Sequence, residues 1–500
     1  MAAFRISCAI VVAAAMLQGA EAPKRLNTGP WRLQYHFTPP QNWTNDPNGL
    51  VYYEGEYHLF YQFNPFGDRW GHMSWGHAVS RDLLHWHDLP VALAEENGIM
   101  IFSGSAVVDE HNSSGFCTPK GSDLSCLVAI YTGHTSERQT QNIAFSNDRG
   151  RTWTKYKGNP VIDLHLKDFR DPKVFWYEPE RKWVMVCSLP DQHKVRFFAS
   201  HDLIHWNGLS DFGPAGATGG VWECPDLFEL PVEGDKGSRW VLVVNINPGG
   251  VAGGSGTQYF VGKFDGRTFT KDGGDSEALW MDYGKDYYAA VSYFGNRPGD
   301  NRRIMIGWFS NWQYANDTPE KGWRGAMAIP REVSLYRSAD GIRVKQTPVR
   351  ELASLRRPLQ SNATGRDIAE GKQLEIEITY ARDSSGRFGL RVFQGTSNFT
   401  EIGIDRSKPA LYIDRSHSGI VNFSRFFPGR QEAPLPAGEP VKLDILLDRS
   451  SVEVFADDGK VTMADRVYPL DADQHVRLFS GGGEPSIESL RVWRIESAWK

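Results

Sequence analysis

The chain has 500 residues with 55 basic and 60 acidic side chains (net −5), 12% aromatics, 50 Gly and 28 Pro, a length that holds two to four domains, or fewer where one is a large all-β unit. Neither sign of charge gathers into a long block, which excludes an electrostatic nucleic-acid footprint and points to a small or neutral partner. The aromatic, turn-rich mixture excludes disorder, collagen and coiled coil.

At the amino terminus, basic Arg5 precedes an apolar run from Ile6 to Leu17 and then the small-x-small site Ala20-Glu21-Ala22. This pattern reads as a secretory signal over residues 1–22, with maturation near Pro23 and an extracellular or periplasmic destination. The run is too short to span about 30 Å of hydrocarbon, so no membrane association is expected once it is removed. An oxidising compartment favours a disulfide between Cys117 and Cys126, which flank the loop-like stretch TPKGSDLS. Cys187 and Cys224 lie in apolar strand-like sequence without CxxC spacing and read as buried free thiols.

One short pattern recurs four times: AVSRDLLHW (78–86), AFSNDRGRTW (144–153), FASHDLIHW (198–206) and VGKFDGRTF (261–269). Each is strand, polar turn, aromatic, at a spacing that suits a four-stranded propeller blade. A second recurring unit, an acidic or small polar residue leading into an apolar hairpin, begins at DPNGL (46–50), FSGSAVV (102–108), RDPKVF (170–175), ECPDLF (223–228) and DYYAAV (286–291). Five units before residue 330 predict a five-bladed β-propeller over residues 23–340. After a linker at 341–360, strict alternation in LEIEITY (374–380) and VKLDILL (441–447), with further short strands, predicts a C-terminal β-sandwich over 361–500. The expected class is all-β.

The first strand of each blade borders the central channel, so residues opening that strand in different repeats converge in space. Asp46, Asp171 and Glu223 share that opening position. Acids converging in a funnel repel one another and shift at least one pKa upward, and a protonated acid beside an ionised one is glycosidase chemistry. Each is also a plausible turn acid taken singly; repeat equivalence favours function. His72 and His77 in GHMSWGH lack a third ligand at metal spacing, so neither a metal nor a cofactor is expected. The glycine-rich PGGVAGGSG (248–256) has no Gly-Lys-Ser/Thr ending and reads as a mobile loop over the funnel rather than a phosphate cradle. No GxSxG elbow is present.

At these acids the sequence resembles glycoside hydrolase family 32, the β-fructosidases that include invertases, inulinases and levanases. The resemblance rests on WTNDPNG (43–49), FRDP (169–172) and WECPD (222–226) in this order. It continues through FSGSAV, SGTQYFVGKFDG, NWQYAND and AIPRE to SSVEVFA. It implies the same propeller and sandwich, and a retaining exo-β-fructosidase acting on fructan or sucrose. Asp46 would be the nucleophile that forms a fructosyl-enzyme, Glu223 the acid and then the base, and Asp171 the transition-state stabiliser. Arg170 would orient that shell, and Asn45, Gln62 and Ser103 match further sugar-binding positions. Trp43, Trp70, Phe102 and Trp312 resemble the apolar lining of the fructose pocket. Asp226 is placed to reach a substrate hydroxyl or to serve as a strand-end turn acid. Cys224, next to Glu223 on an extended strand, should point to the opposite face, away from the sugar.

Three other readings keep parts of this framework. A fructosyltransferase would use the same acids with a different acceptor, a secreted carbohydrate-binding protein would have lost catalysis, and an inverting glycosidase on the related arabinanase propeller would space its carboxylates more widely, at about 6.5–9.5 Å. The sandwich is assigned a structural role, and oligomeric state is left open.

Overall fold

The computed structural model describes residues 29–119, 121, 123–274, 278–360, 366–483 and 485–499; the signal expected at 1–22 lies outside the described residues. Five sheets follow one another along the chain, each built on four antiparallel strands in chain order. Blade I contains Asn42–Tyr53, Glu56–Asn64, Ser74–Ser80 and Trp86–Leu93, and blade II contains Met100–Asp109, Cys126–His134, Gln139–Ser146 and Thr154–Lys155. Blade III is built from Arg170–Tyr177, Lys182–Leu189, Lys194–Ser200 and Asn207–Phe212, and blade IV from Val221–Pro231, Ser238–Asn247, Gly256–Phe264 and Phe269–Lys271. Blade V comprises Tyr288–Ser292, Arg303–Trp308, Arg331–Ser338 and Gly341–Pro348. The first strands touch in a closed circuit, I to II through V and back to I, as in a five-bladed propeller. Among the described residues the helical elements are three short 3-10 turns, and no helix is long and apolar enough to cross a membrane.

Sequence dictates the blades locally. The second strands, such as LVAIYTG and KWVMVCSL, are continuous apolar runs because both faces are covered by neighbouring blades. The recurring polar turn joins the third strand to the fourth. In blade I Asp82 accepts from the Leu84 and His85 amides at 3.1 and 2.9 Å, and in blade III Asp202 does the same for Ile204 and His205 at 2.9 and 2.8 Å. An aspartate that closes its own turn this way recurs wherever the chain must reverse in the same geometry.

Ring closure depends on the segment between the second and third strands of blade V. Its Trp323–Arg324 pairs in parallel with Asn42 and Trp43 of blade I, and Trp308 donates from Nε1 to the Thr44 carbonyl at 3.1 Å. The blade continues past the boundary expected from sequence. Gly341–Pro348 is its outer strand, paired residue for residue with Arg331–Ser338, so the stretch expected as a linker at 341–360 begins as propeller. The texture change near 330 marks the interdomain contact and not the end of the sheet.

Two six-stranded sheets make the sandwich, one ordered Arg356–Pro358, Ile487–Ile495, Gln373–Tyr380, Val441–Asp448, Ser451–Ala456, Val461–Arg466 and the other Asp367–Glu370, His475–Gly481, Arg387–Gln394, Phe399–Asp405, Ala410–His417, Arg430–Pro434. Alternate residues such as Leu374, Ile376, Ile378 and Tyr380 fill the space between them.

Buried ion pairs join the two domains. Arg331 of the AIPRE stretch donates to Asp282 at 2.8 Å and to Glu453 of SSVEVFA at 3.0 Å. Arg415 pairs with Asp286 at 2.6 Å, Arg466 with Glu320 at 2.8 Å, and His36 bridges Asp448 and Glu453. Those two late motifs therefore meet each other, and their chemistry is structural.

Candidate active site

Every blade contributes to one funnel from the opening of its first strand, and each of those strands departs from regular pairing there. Register shifts fall between Thr44 and Pro47, Phe102 and Gly104, Glu223 and Asp226, and Tyr288 and Val291, while the partner of Asp171's strand shifts between Val186 and Ser188. Asp171, Cys224 and Ala289 adopt positive φ of 65°, 42° and 52°. Such bulges break the two-residue alternation and re-aim side chains that a flat strand would send elsewhere. Gly104 serves the same purpose. A Cβ there would lie 2.1 Å from the Ile130 carbonyl oxygen, so only glycine lets Ser103 sit so close to the second strand.

Asp46 accepts from Ser103 Oγ at 2.7 Å, from Asn45 Nδ2 at 2.9 Å and from Cys224 Sγ at 3.5 Å. Burial and the neighbouring Glu223 push its pKa up, and those three donors pull it back. Asp171 accepts from the Cys224 amide at 2.9 Å and lies 3.6 Å from its Sγ. Its carboxyl is pushed up to about 7 by burial, with Glu223 and Asp46 adding to the effect and Arg170 opposing it. Arg170 donates twice to Glu223 Oε1, from Nε at 3.0 Å and Nη2 at 2.9 Å, and is itself held by Asp168 at 2.8 Å. Tyr288 donates a short hydrogen bond to Glu223 Oε2. Burial and the Glu223 charge push the Tyr288 phenol far up, so it remains a donor. The three acids thus share one site with one guanidinium, and burial first, with the charge of neighbouring acids second, pushes the Asp46 and Asp171 carboxyls above the ordinary carboxylate range.

Among the aromatic residues expected to line the pocket, Trp70 is 42% exposed and approaches Phe102 edge-on at 6.1 Å. Trp312 is half-buried and stacks on Trp43 at 5.9 Å. Trp43 itself is 0% exposed and spends its Nε1 on Asn45 Oδ1 at 2.7 Å, so it braces the lining and does not reach a ligand. Gln62 is also buried, donating to the Ile101 carbonyl at 3.0 Å. With its oxygen toward Gln62, the Asn48 amide accepts from Gln62 Nε2 at 3.0 Å and donates to Ser103 Oγ at 3.2 Å. Gln62 therefore acts on the funnel through Asn48 and Ser103.

The placements expected for Asp226 and Cys224 are corrected. Asp226 is 0% exposed, accepts from the Ser292 amide at 2.6 Å and pairs with Lys173 at 3.4 Å, deeper in the channel than the three acids. The bulge between Glu223 and Asp226 turns it away from the funnel. Cys224 points into the site, against the alternation argument, because its positive φ rotates the thiol between Asp46 and Asp171. Burial and the adjacent carboxylates push that thiol well up, so it stays an S–H donor.

His72 and His77 are apart: His72 is on the surface with Glu95 at 2.8 Å, and His77 is buried with His58 at 3.0 Å. Cys117 and Cys126 form a disulfide, and Cys187 is a buried thiol. The glycine-rich loop is pinned, with Lys285 donating to the Ala252 carbonyl at 2.9 Å and Asn311 to the Gly253 carbonyl at 3.2 Å, contrary to the mobile loop expected.

Comparison with known proteins matches residues 36–348 to the glycosyl hydrolases family 32 N-terminal domain and 340–494 to the family 32 C-terminal domain. The chain belongs to glycosyl hydrolase family 32. This family 32 glycoside hydrolase is 48% identical over 485 residues to a levanase from Bacillus subtilis (strain 168), covering 94% of this chain and 71% of that one. It is 41% identical over 519 residues to an extracellular exo-inulinase from Aspergillus awamori, covering 94% and 95%. The crystal structure of exo-inulinase from Aspergillus awamori superposes with a TM-score of 0.89 at 40% identity over 95% of this chain and all of that one. A β-fructofuranosidase from Schwanniomyces occidentalis complexed with fructosyl-erythritol gives 0.85 at 33% identity, over 93% and 98%.

Three neighbours of the family 32 site escaped the sequence reading. Tyr288 opens the first strand of blade V, in the fifth repeat unit, at the position where three other blades carry an acid; a tyrosine there carries no acidic signal. His134 stacks flat on Phe102 at 4.1 Å, and Thr132 accepts from the Asp171 amide at 3.0 Å. Both come from a second strand and carry no motif.

Proposed function

We propose that the protein is a secreted, retaining exo-β-fructosidase that removes terminal β-D-fructofuranosyl units from fructans and from sucrose. The observation that carries this reading is the placement of Asp46, Asp171 and Glu223 in one funnel with distinct partners. Asp46, ligated by Ser103, Asn45 and Cys224, attacks the anomeric carbon and forms a covalent fructosyl ester. Glu223, held by Arg170 and Tyr288, gives its proton to the departing oxygen and then takes one from the water that cleaves the ester. Asp171 accepts hydroxyl hydrogen bonds from the sugar as positive charge develops on the ring.

The closed floor of the funnel supports exo action. Lys173, Asp226 and Ser292 are buried and bonded to one another behind the acids, so a chain end enters but a chain cannot thread through. Secretion is supported by the signal-like sequence at 1–22 and by relatives named as extracellular. The test is hydrolysis of sucrose, inulin and levan by the mature protein, with the product anomer followed by NMR and Asp46→Asn and Glu223→Gln as controls. β-Fructofuranose should appear first from all three substrates, and both variants should lose activity by orders of magnitude. Early α-fructose would indicate inversion, oligosaccharide growth a transferase, and no release at all a binding protein.

A further inference from the structure

Behind the catalytic acids, toward the carboxyl ends of the first strands of blades III and IV, lies a second cavity of about 470 Å³. That volume falls within the roughly 300–1,000 Å³ of small-molecule sites. Lys173, Asp226 and Ser292 separate it from the funnel. Phe175, Trp176, Phe228, Trp240, Phe294, Glu178 and Arg303 are among its lining residues. The rings are fixed in place. Trp240 packs on Phe175 at 5.6 Å, and Trp176 meets Trp183 edge-on at 5.0 Å.

Two polar groups in this cavity are under-used. Both the Ser292 amide and Lys173 engage Asp226 through Oδ2, leaving its buried Oδ1 without a hydrogen-bond partner. Arg303 donates from Nη1 to the Tyr293 carbonyl at 3.0 Å and lies over the Phe228 ring at 5.0 Å, yet among the described residues no carboxylate comes within 4.0 Å of it. A guanidinium has five N–H donors, and a buried carboxyl oxygen left unpaired is costly. A single ligand that serves both must accept from Arg303 and donate to Asp226. An anion without a proton of its own cannot donate and a metal ion cannot accept; a neutral hydroxyl does both. Flat rings beside such a pair suit the C–H faces of a sugar.

We infer that the rear cavity is a second, non-catalytic saccharide site that takes a neutral polyhydroxy ligand, either free fructose or the end of a fructan chain. Arg303 and Asp226 hold its hydroxyls, and Trp176 and Trp240 carry its apolar face. The inference draws on the fructosidase reading only for its choice of probes.

Equilibrium dialysis of the non-hydrolysing Asp46→Asn protein with labelled fructose, and separately with a fructan tetrasaccharide, counts ligand per chain. Adding Arg303→Gln, or in a separate protein Trp240→Ala, should remove one bound ligand per chain. In the wild-type background the same substitutions should leave kcat/KM for sucrose within about twofold, which also reports folding. Loss of the tetrasaccharide together with fructose identifies chain ends as the source; loss of fructose alone identifies the free sugar. An unchanged count with either substitution, for both probes, overturns the site and leaves water as the partner of Asp226. Failure of the wild type to cleave sucrose would instead overturn the fructosidase reading, while the difference in count still reads on the cavity.

Discussion

The buried charges between propeller and sandwich make stability depend on pH in a calculable way. His36 is fully buried, with Nδ1 2.9 Å from Asp448 and Nε2 2.7 Å from Glu453. Burial opposes its charged form, but the two carboxylates outweigh it and push the pKa from 6.5 up to about 9. Since the folded value exceeds the unfolded one, the folded state holds the extra proton. The resulting stability is complete below about pH 6.5 and is lost as pH rises through about 9. A gap of about 2.5 pH units at about 1.36 kcal/mol each is about 3 kcal/mol. For 500 residues, an unfolding entropy of about 2.1 cal/mol/K per residue gives about 1 kcal/mol/K, so the effect is about 3 °C in Tm. Calorimetric scans of wild type and His36→Gln from pH 6 to pH 10 should show the difference between them shrinking by about that amount. Asp171 and Asp465, both pushed up to about 7 chiefly by burial, titrate in both proteins and cancel in the comparison. A difference that stays constant across the range would mean that His36 is neutral in the fold, and the argument would fail.

Ser103→Ala removes the 2.7 Å donor that helps hold Asp46 ionised. The acid limb of the kcat/KM profile for sucrose should move to higher pH, with about a tenfold or larger loss at acidic pH; an unmoved limb would argue against Asp46 as the titrating nucleophile. Tyr288→Phe deletes the phenol on Glu223, and a hydrogen bond to a charged group is worth about 1.5–3 kcal/mol, so kcat should fall about 10- to 100-fold with KM little changed. Removing the Cys117–Cys126 bridge, whose partners are separated by 9 positions, should lower stability by about 2–3 kcal/mol in urea unfolding. Arg331→Met strands Asp282 and Glu453 in the domain interface, and should lower stability by about 3–5 kcal/mol in the same assay.

The blades and the three acids were legible because each rests on a periodic signal. Period-two and continuous apolar runs mark strands, the recurring aspartate turn marks where a blade folds back, and an acid at the same repeat position in three units marks a shared place in space. The sandwich boundary was legible only to within one strand, because Arg331–Ser338 and Gly341–Pro348 alternate as the sandwich strands do.

What alternation could not supply was the orientation of the side chains at the funnel, since the site is built where alternation breaks. On a flat strand Glu223 and Cys224 face opposite ways. In the fold, a positive φ at Cys224 and a bulge before Asp226 send both Glu223 and Cys224 to the acids, and send Asp226 to the rear of the channel. The same departure at Asp171 sets its carboxyl against the Cys224 amide. A non-glycine residue at positive φ costs of order 1–3 kcal/mol and survives only where its surroundings hold it. Here the Asp171 and Cys224 amides are held by Thr132 and by the Asp171 carboxylate, and Ala289 in blade V is followed by Ala290, whose amide donates to Asn245. Strain and chemistry are therefore concentrated in the same few residues. A sequence pattern that reports the average strand predicts the scaffold and misses the point at which the scaffold is bent to carry the reaction.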